Sequence, residues 1–151
     1  MNQEKKLVSI IIPTLNRFKL LTRAIDSIFN QTYSNYEIII VNDGGNNVDE
    51  IFDYFNYNSK LKVFNLEKNY GRAYARNFGI KQAKGEYLCY LDDDDIFYPE
   101  HLETLVTALE ENLAFQIAYT ASYMTELDSN DNMIQKKEFI SEKFDYDSLL
   151  V

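Results

Sequence analysis

Short apolar runs alternate with amphipathic helical segments along most of this chain, and this alternation limits the folds open to it. Residues 8–12 are rich in β-branched side chains, as strands buried on both faces are. Apolar residues then recur at helical spacing through residues 18–30, and further strands are predicted at residues 36–41, 61–66 and 87–91. Helices between successive strands form right-handed βαβ units. The sequence therefore predicts an α/β fold, a three-layer α/β/α sandwich around a mostly parallel sheet.

The later segments extend this order of elements. Residues 48–55 are predicted as a short helix and residues 72–83 as a longer one that Gly85 ends as a C-cap. Pro99 suits the first turn of a further helix. A fifth strand is predicted at residues 115–123, followed by a turn at 128–132 and a hairpin strand at 133–140. The 151 residues predict one domain, and because the chain stops on three apolar residues we expect the natural protein to continue.

Composition excludes several classes of partner. The net charge is −9, so a nucleic-acid partner is not expected, and an acidic protein that binds phosphate needs a local cation. Cys89 is the one cysteine, which excludes an internal disulfide, and no Cys/His spacing suits zinc. No run approaches the ~18 apolar residues of a membrane span. We predict a cytoplasmic protein without a transmembrane segment in this chain, leaving open contact with the inner membrane face through other regions or partners.

Four consecutive carboxylates, Asp92 to Asp95, follow residues 87–91, whose apolar run predicts a buried strand. Their mutual repulsion is unfavourable unless a cation or water screens it. In open α/β sheets, ligands bind at the carboxyl ends of strands. Hard divalent cations prefer carboxylate oxygens and keep positions open for phosphate. The cluster therefore favours a metal–phosphate site, and an acidic solvated turn is the alternative.

A glycine-rich phosphate loop does not follow the first predicted strand. Residues 13–16 read Pro-Thr-Leu-Asn, without the spacing of a dinucleotide-binding or P-loop motif. Dinucleotide oxidoreductases and P-loop NTPases are therefore excluded. Phosphate would instead be held by the aspartate cluster and a metal, helped by one of three arginines: Arg17, Arg72 or Arg76.

Five short motifs occur in a fixed order along the chain. They are Pro-Thr-Leu-Asn-Arg at 13–17, Val-Asn-Asp-Gly at 41–44, Asn-x-Gly-x-x-x-Ala-Arg-Asn at 69–77, Gly-Glu-Tyr at 85–87 and Leu-Asp-Asp-Asp-Asp at 91–95. In this order they resemble the nucleotide-sugar-binding half of family-2 glycosyltransferases, which have the GT-A fold. The resemblance covers residues 6–126. It implies that residues 1–151 are a single GT-A nucleotide-sugar-binding domain, truncated before the acceptor part.

The resemblance assigns the aspartates to a donor site. Asp92 to Asp94 match the family's D-x-D element, so Asp94, with Asp92, would ligate Mn²⁺ or Mg²⁺ on the donor diphosphate, and Asp93 would lie near the ribose or sugar. Asp43 matches the carboxylate that accepts the uracil imide N–H, and the resemblance thus favours a UDP-sugar. An ionised carboxylate can only accept hydrogen bonds, so it fits uracil or guanine and suits adenine poorly. An Asn-Asp-Gly turn that needs Asp43 only for backbone bonds is the alternative. Asp95 is predicted to cap the next helix or to orient its neighbours.

The remaining donor-site predictions concern the first loop and the third helix. Three residues would line the nucleoside pocket: Pro13, Thr14 and Asn16. Arg17 is either a phosphate or base neighbour or a solvated charge at a helix start. Arg72, near the helix N-terminus, is preferred for the diphosphate. Arg76 lies on the same face of the helix and, with Asn77, could instead tie the helix to the loop after the fourth strand.

The reaction implied by the resemblance is an inverting sugar transfer to a saccharide or lipid-linked acceptor, as in polysaccharide biosynthesis. Such a transfer needs a general base, which in this family lies beyond the D-x-D element and beyond residue 151, so no catalytic residue is assigned. We expect the chain alone to be inactive or weakly active. The alternatives are a non-catalytic nucleotide-sugar-binding module and a nucleotidyltransferase, which the absence of a glycine-rich first loop disfavours.

Overall fold

The computed structural model describes residues 5–127 and 133–139. The turn predicted at 128–132 and the end of the chain from residue 140 lie outside the described residues. The chain divides into two compact units, with the boundary between Glu103 and Thr104. Its elements are β1 (Val8–Thr14), α1 (Phe18–Phe29), β2 (Tyr36–Asn42), α2 (Glu50–Tyr54), β3 (Leu61–Asn65), α3 (Arg72–Gln82), β4 (Tyr87–Tyr90), α4 (His101–Glu111), β5 (Ser122–Leu127) and β6 (Met133–Phe139).

The first unit is built on a four-stranded sheet in the order β3-β2-β1-β4, with every pair parallel. Right-handed crossovers carry the chain from β1 through β2 to β3 in one direction, which places α1 and α2 on one face. The chain then returns past β1 to β4, so α3 crosses the opposite face. The predicted α/β fold with a parallel sheet and flanking helices is confirmed.

Both faces of the two central strands are buried, which is why β1 and β2 are mostly apolar. On the α3 face, Ile11, Ile39 and Val41 form a cluster with Ala75 of α3. On the other face lie fully buried isoleucines of both strands, and α1 and α2 supply fully buried residues such as Ile25 and Ile51. Burial of this apolar area is the main force that holds the three layers together.

The fourth strand is shorter and more exposed than predicted. It ends at Tyr90, and Leu88 and Tyr90 are 45% and 47% exposed, so its prediction as a buried strand is wrong for these two residues. Within the described residues β4 pairs only with β1 and lies at the sheet edge. An edge strand lacks the second neighbour that would cover its side chains, and periodicity alone does not reveal which strand is at the edge.

The fifth strand begins later than predicted. Residues 115–121 contain no strand, and Phe115 and Ile117 are exposed. The second unit instead contains β5, which pairs antiparallel with β6, so the predicted hairpin is confirmed. The alternating apolar residues at 115–119 suggested a strand, but pairing with β6 decides where the strand begins.

Among the described residues, no helix is both long and apolar enough to cross a membrane.

Gly85 does not cap α3, contrary to the prediction. The helix ends at Gln82, and the following Ala83 is extended, with φ −67° and ψ 140°. A Cβ atom on Gly85 would lie 2.6 Å from the backbone nitrogen of Ser9 and 2.7 Å from the carbonyl oxygen of Leu7. Glycine is required here because the chain entering β4 passes directly against β1.

A buried carboxylate joins three strands at the amino end of the sheet. Glu37 accepts hydrogen bonds from Ser9 Oγ at 2.6 Å and from the Lys84 backbone N–H at 2.7 Å, and it pairs with Lys62. Burial alone would raise the pKa of the Glu37 carboxyl, but these hydrogen bonds together lower it from its ordinary value of 4.5. The group is therefore ionised and fully paired inside the fold.

Glu37→Gln is expected to destabilise the chain by about 2 kcal/mol at neutral pH, because it leaves Lys62 without its counter-ion. The lowered pKa of Glu37 means that its contribution is present above the unfolded pKa near 4.5 and is lost as the pH falls through the lower folded value. Urea unfolding at about pH 7 and about pH 3 should therefore show the destabilisation shrinking in acid. Glu86→Gln, at an exposed ion pair, is the control; a destabilisation by Glu37→Gln that is constant with pH would contradict the assignment.

Candidate functional site

The carboxyl ends of the parallel strands open into one cavity of about 660 Å³. It lies at the ends of β1 and β4. The chain adds β2 and β3 on one side of β1 and then β4 on the other side, and ligands usually bind at this switch in strand order. The volume is in the range of small-molecule sites. The lining residues come from the end of β1, from the loops after β1, β2, β3 and β4, and from the start of α3: Pro13, Thr14, Leu15, Arg17, Asp43, Asn69, Gly71, Arg72, Asp92, Asp93 and Asp94.

Most of the residues predicted for a donor site therefore share this cavity, and Asn16 is the exception. Its backbone has a positive φ of 56°, and its Oδ1 accepts the Asn46 N–H at 2.8 Å. Asn16 thus ties the loop after β1 to the loop after β2. Contact between its side chain and a nucleoside stays a prediction.

The four aspartates after β4 have different partners. Asp93 is buried and accepts hydrogen bonds from Thr14 Oγ1 at 2.7 Å and from Arg17 Nη1 at 3.2 Å. Asp94 is half-exposed and accepts a bond from the same Arg17 nitrogen at 2.8 Å. Asp92 is paired with Arg76. The charge of Asp93, and after it that of Asp94, raises the pKa of the Arg17 guanidinium.

The chain could hold a divalent cation at the exposed side of this cluster. One carboxylate oxygen each from Asp92, Asp94 and Asp95 lies within 4.8 Å of the others, whereas Asp93 turns toward Thr14. Three convergent carboxylates are a donor set that suits Mn²⁺ or Mg²⁺. Burial raises the pKa of the Asp95 carboxyl, and its three acidic neighbours raise it further. A cation there would relieve this repulsion.

Asp95 therefore joins Asp92 and Asp94, which the sequence analysis did not predict. It does not cap the next helix, because α4 begins only at His101. Its backbone N–H instead donates to the Asp92 carbonyl oxygen at 3.1 Å, which closes a tight turn and brings the two side chains together. The signal in the sequence was the uninterrupted run of aspartates. The turn that brings Asp95 back to Asp92 could not be predicted from that run.

The two arginines of α3, Arg72 and Arg76, have different surroundings. Arg76 pairs with Asp92, so it ties α3 to the loop after β4, as the structural alternative predicted. Its Nε atom is buried and, within the described residues, has no hydrogen-bond partner. Arg72 stands in the first turn of α3 and lines the cavity. Of this pair, Arg72 is the one exposed to a ligand in the cavity.

Asp43 is buried beneath the loop that leads into α3. Its carboxylate accepts the backbone N–H groups of Tyr70 and Gly71, both at 2.8 Å, and it also lines the cavity. The neighbouring Gly44 has φ +78°, and a Cβ there would lie 2.1 Å from the carbonyl carbon of Lys68. The backbone role proposed as the alternative is therefore present. A carboxylate has about four acceptor positions, so about two remain for a ligand.

The cavity also contains residues that the sequence analysis did not assign to it. Leu15, Asn69 and Gly71 contribute to its wall. Asn69 Oδ1 accepts the Gly71 N–H at 2.9 Å and shapes the loop before α3. The Asn-x-Gly spacing was an available signal, because it is typical of such turns, but only the fold shows that this turn faces the aspartates.

Comparison with known proteins identifies the family. The model of "Glycosyl transferase family 2" matches residues 9–149. An uncharacterised glycosyltransferase of Rickettsia bellii is 40% identical over 106 residues, which are 70% of this chain and 15% of that protein. An uncharacterised glycosyltransferase of Bacillus subtilis, YwdF, is 43% identical over 103 residues, 68% of this chain and 38% of that one. The chain thus spans much less than two thirds of these relatives.

Solved structures agree with this fold. TarS residues 1–349 of S. aureus, in complex with UDP, has a TM-score of 0.65 and 26% identity, covering 78% of this chain and 41% of that one. The mannosyltransferase PcManGT of Pyrobaculum calidifontis, in complex with GDP-Man and Mn²⁺, has a TM-score of 0.63 at 23% identity, covering 70% and 33%. The second likeness concerns the fold alone. With a family match over nearly its whole length, the chain belongs to glycosyl transferase family 2.

Proposed function

We propose that this chain is the donor-binding domain of an inverting glycosyltransferase and binds a nucleotide diphosphate sugar, with a UDP-sugar favoured. The observation that carries the proposal is the cavity lined by Asp43, Arg72 and the aspartates after β4. These residues supply an acceptor for a base, a cation for phosphate and carboxylates for a metal. TarS, a structural relative, has been solved with UDP and with UDP-GlcNAc, which supports a uridine nucleotide here.

Each residue has a definite task in this proposal. Asp92 and Asp94 would hold Mn²⁺ or Mg²⁺, with Asp95 as the third carboxylate. The cation, when bound, would supply a Lewis acid that stabilises the charge on the departing nucleoside diphosphate. Arg72 donates to the diphosphate from the first turn of α3, where the backbone N–H groups also favour an anion. Thr14 keeps Asp93 oriented toward the ribose or sugar.

The acceptor and the chemical step extend beyond this domain. An in-line displacement needs a carboxylate that deprotonates the acceptor hydroxyl, and we assign none of the described residues to that role. We propose that the acceptor is a saccharide or lipid-linked sugar, as in polysaccharide biosynthesis, and that the general base is outside residues 1–151. Binding of the donor, rather than transfer, is therefore the property to test on this chain.

Calorimetric titration of the chain with UDP, GDP, CDP and ADP, with and without Mn²⁺, tests the proposal. We expect UDP to bind at least about tenfold more tightly with Mn²⁺ than with EDTA, equivalent to about 1.4 kcal/mol, because a cation held by the aspartates would offset the negative charge of the diphosphate. We also expect UDP to bind more tightly than ADP, because the Asp43 carboxylate can only accept a hydrogen bond. Equal binding of all four nucleotides, or binding unaffected by metal, would contradict the proposed site.

A further inference from the structure

Arg17 is bonded to two carboxylates with different surroundings. Its Nη1 atom lies 3.2 Å from Asp93 Oδ1 and 2.8 Å from Asp94 Oδ2. The Asp93 side chain is 8% exposed, whereas those of Asp94 and Arg17 are 49% and 51% exposed. Asp93 is also held by Thr14. The contact with Asp93 is therefore anchored inside the fold, and the contact with Asp94 is on the solvent side.

The Asp94 carboxylate has two possible cationic partners. It is bonded to Arg17, and it also converges with Asp92 and Asp95 into the group that suits a divalent metal. A metal ion and a guanidinium that bind the same carboxylate lie close together, and their positive charges repel each other. A half-exposed ion pair is weak, so the contact between Arg17 and Asp94 is the one that can yield. A metal ion bound to Asp94 would therefore weaken the contact between Asp94 and Arg17.

A displaced Arg17 has a second partner available inside the same cavity. Arg17 lines the same cavity as Arg72, the residue proposed to bind the diphosphate of a donor. The guanidinium forms paired hydrogen bonds with phosphate oxygens, and its planar fork suits them better than an ammonium group does. Arg17 precedes α1 and its side chain makes no capping bond to that helix, so turning it does not disturb the helix.

We propose that Arg17 exchanges between Asp94 and the diphosphate of the donor, and that this exchange couples metal binding to nucleotide binding. Without nucleotide, Arg17 competes with the metal for Asp94 and weakens its binding. With nucleotide, Arg17 transfers to the phosphates, so metal and nucleotide strengthen each other's binding. Arg17 thus favours binding of the metal together with the nucleotide over binding of the metal alone. The inference rests on the proposed function.

Arg17→Gln separates this role from the other roles open to a charged residue. We expect the variant to bind Mn²⁺ alone about fivefold more tightly than the wild type, because the competing charge is gone. We expect it to bind UDP about tenfold more weakly at saturating Mn²⁺, because a phosphate contact is lost. Both affinities are measured by calorimetry. A residue that only anchors the aspartates would weaken both affinities, and a solvated one would change neither; either result overturns the inference.

Two further variants complete the test. Lys81→Gln removes the same charge from the last turn of α3 and should leave both affinities unchanged. Arg17→Lys keeps the charge but not the planar fork, so Mn²⁺ alone should bind as in the wild type while UDP binds more weakly. If the wild type shows no UDP binding with Mn²⁺, the proposed function and this inference fail together. If the wild type binds UDP with Mn²⁺ and Arg17→Gln binds Mn²⁺ and UDP with the same affinities as the wild type, only the inference fails.

Discussion

Asp94→Ala is expected to weaken Mn²⁺-dependent UDP binding at least about 100-fold, equivalent to about 2.7 kcal/mol. Asp94 lines the cavity, as Asp92 does, and its carboxylate converges with those of Asp92 and Asp95. Without it, two carboxylates remain, and one of them, Asp92, is already paired with Arg76. The metal would then lack the ligands needed to bridge the protein to the diphosphate. Calorimetry of UDP binding with and without Mn²⁺ measures the effect.

The same experiment distinguishes a metal site from an acidic turn. Asp26→Ala removes an exposed carboxylate from α1 and serves as the charge-matched control, for which we expect unchanged UDP binding. Asp94→Ala should leave the unfolding temperature within a few degrees of the wild type, because the Asp94 side chain is half-exposed. Unchanged Mn²⁺-dependent UDP binding in Asp94→Ala would show that the aspartate run is a solvated turn.

Asp43→Ala is expected to affect both stability and nucleotide selectivity. The loss of the carboxylate leaves the Tyr70 N–H without its acceptor and the Gly71 N–H with Asn69 Oδ1 alone, which should cost about 1 to 3 kcal/mol of unfolding free energy. UDP affinity should fall at least about tenfold as the loop before α3 loosens and the base loses its partner. The ratio of UDP to ADP affinity should approach one. Urea unfolding and calorimetry measure the two effects separately.

The selectivity ratio shows whether Asp43 contacts the base. Asn69→Ala is the matched control, because it removes another hydrogen bond to Gly71 from the same loop without touching Asp43. We expect this control to weaken UDP and ADP by a similar factor and to keep their ratio. If Asp43→Ala also keeps the ratio, Asp43 supports the loop through backbone bonds and does not read the base.

Much of the parallel sheet could be predicted because its signals are local. The β-branched runs at β1 and β2 and the helical spacing in α1 each involve residues a few positions apart, and their observed bounds differ from the predicted ones by one or two residues. The strand–helix order then leaves few topologies, because crossovers are right-handed. The aspartate run was likewise readable as a site, since it directly follows a strand in such a fold.

The wrong predictions concern residues whose structure depends on neighbours that are distant along the chain. Leu88 and Tyr90 look like buried strand residues, yet their exposure depends on whether another strand lies beside β4. Gly85 looks like a helix cap, yet its requirement for glycine comes from the backbone of Ser9. The start of β5 depends on its pairing with β6. In each case the deciding partner lies outside the local pattern, where periodicity carries no information.

The sequence by itself determined the order of strands and helices, the placement of four carboxylates at a strand end and the motif order that identifies the family. Only the tertiary structure decided how those carboxylates are divided: Asp93 bonded to Thr14, Asp94 to Arg17 and Asp92 to Arg76. The physical reason is separation along the chain. Thr14 and Asp93 are 79 residues apart and meet only because β1 and β4 pair at the switch in chain direction.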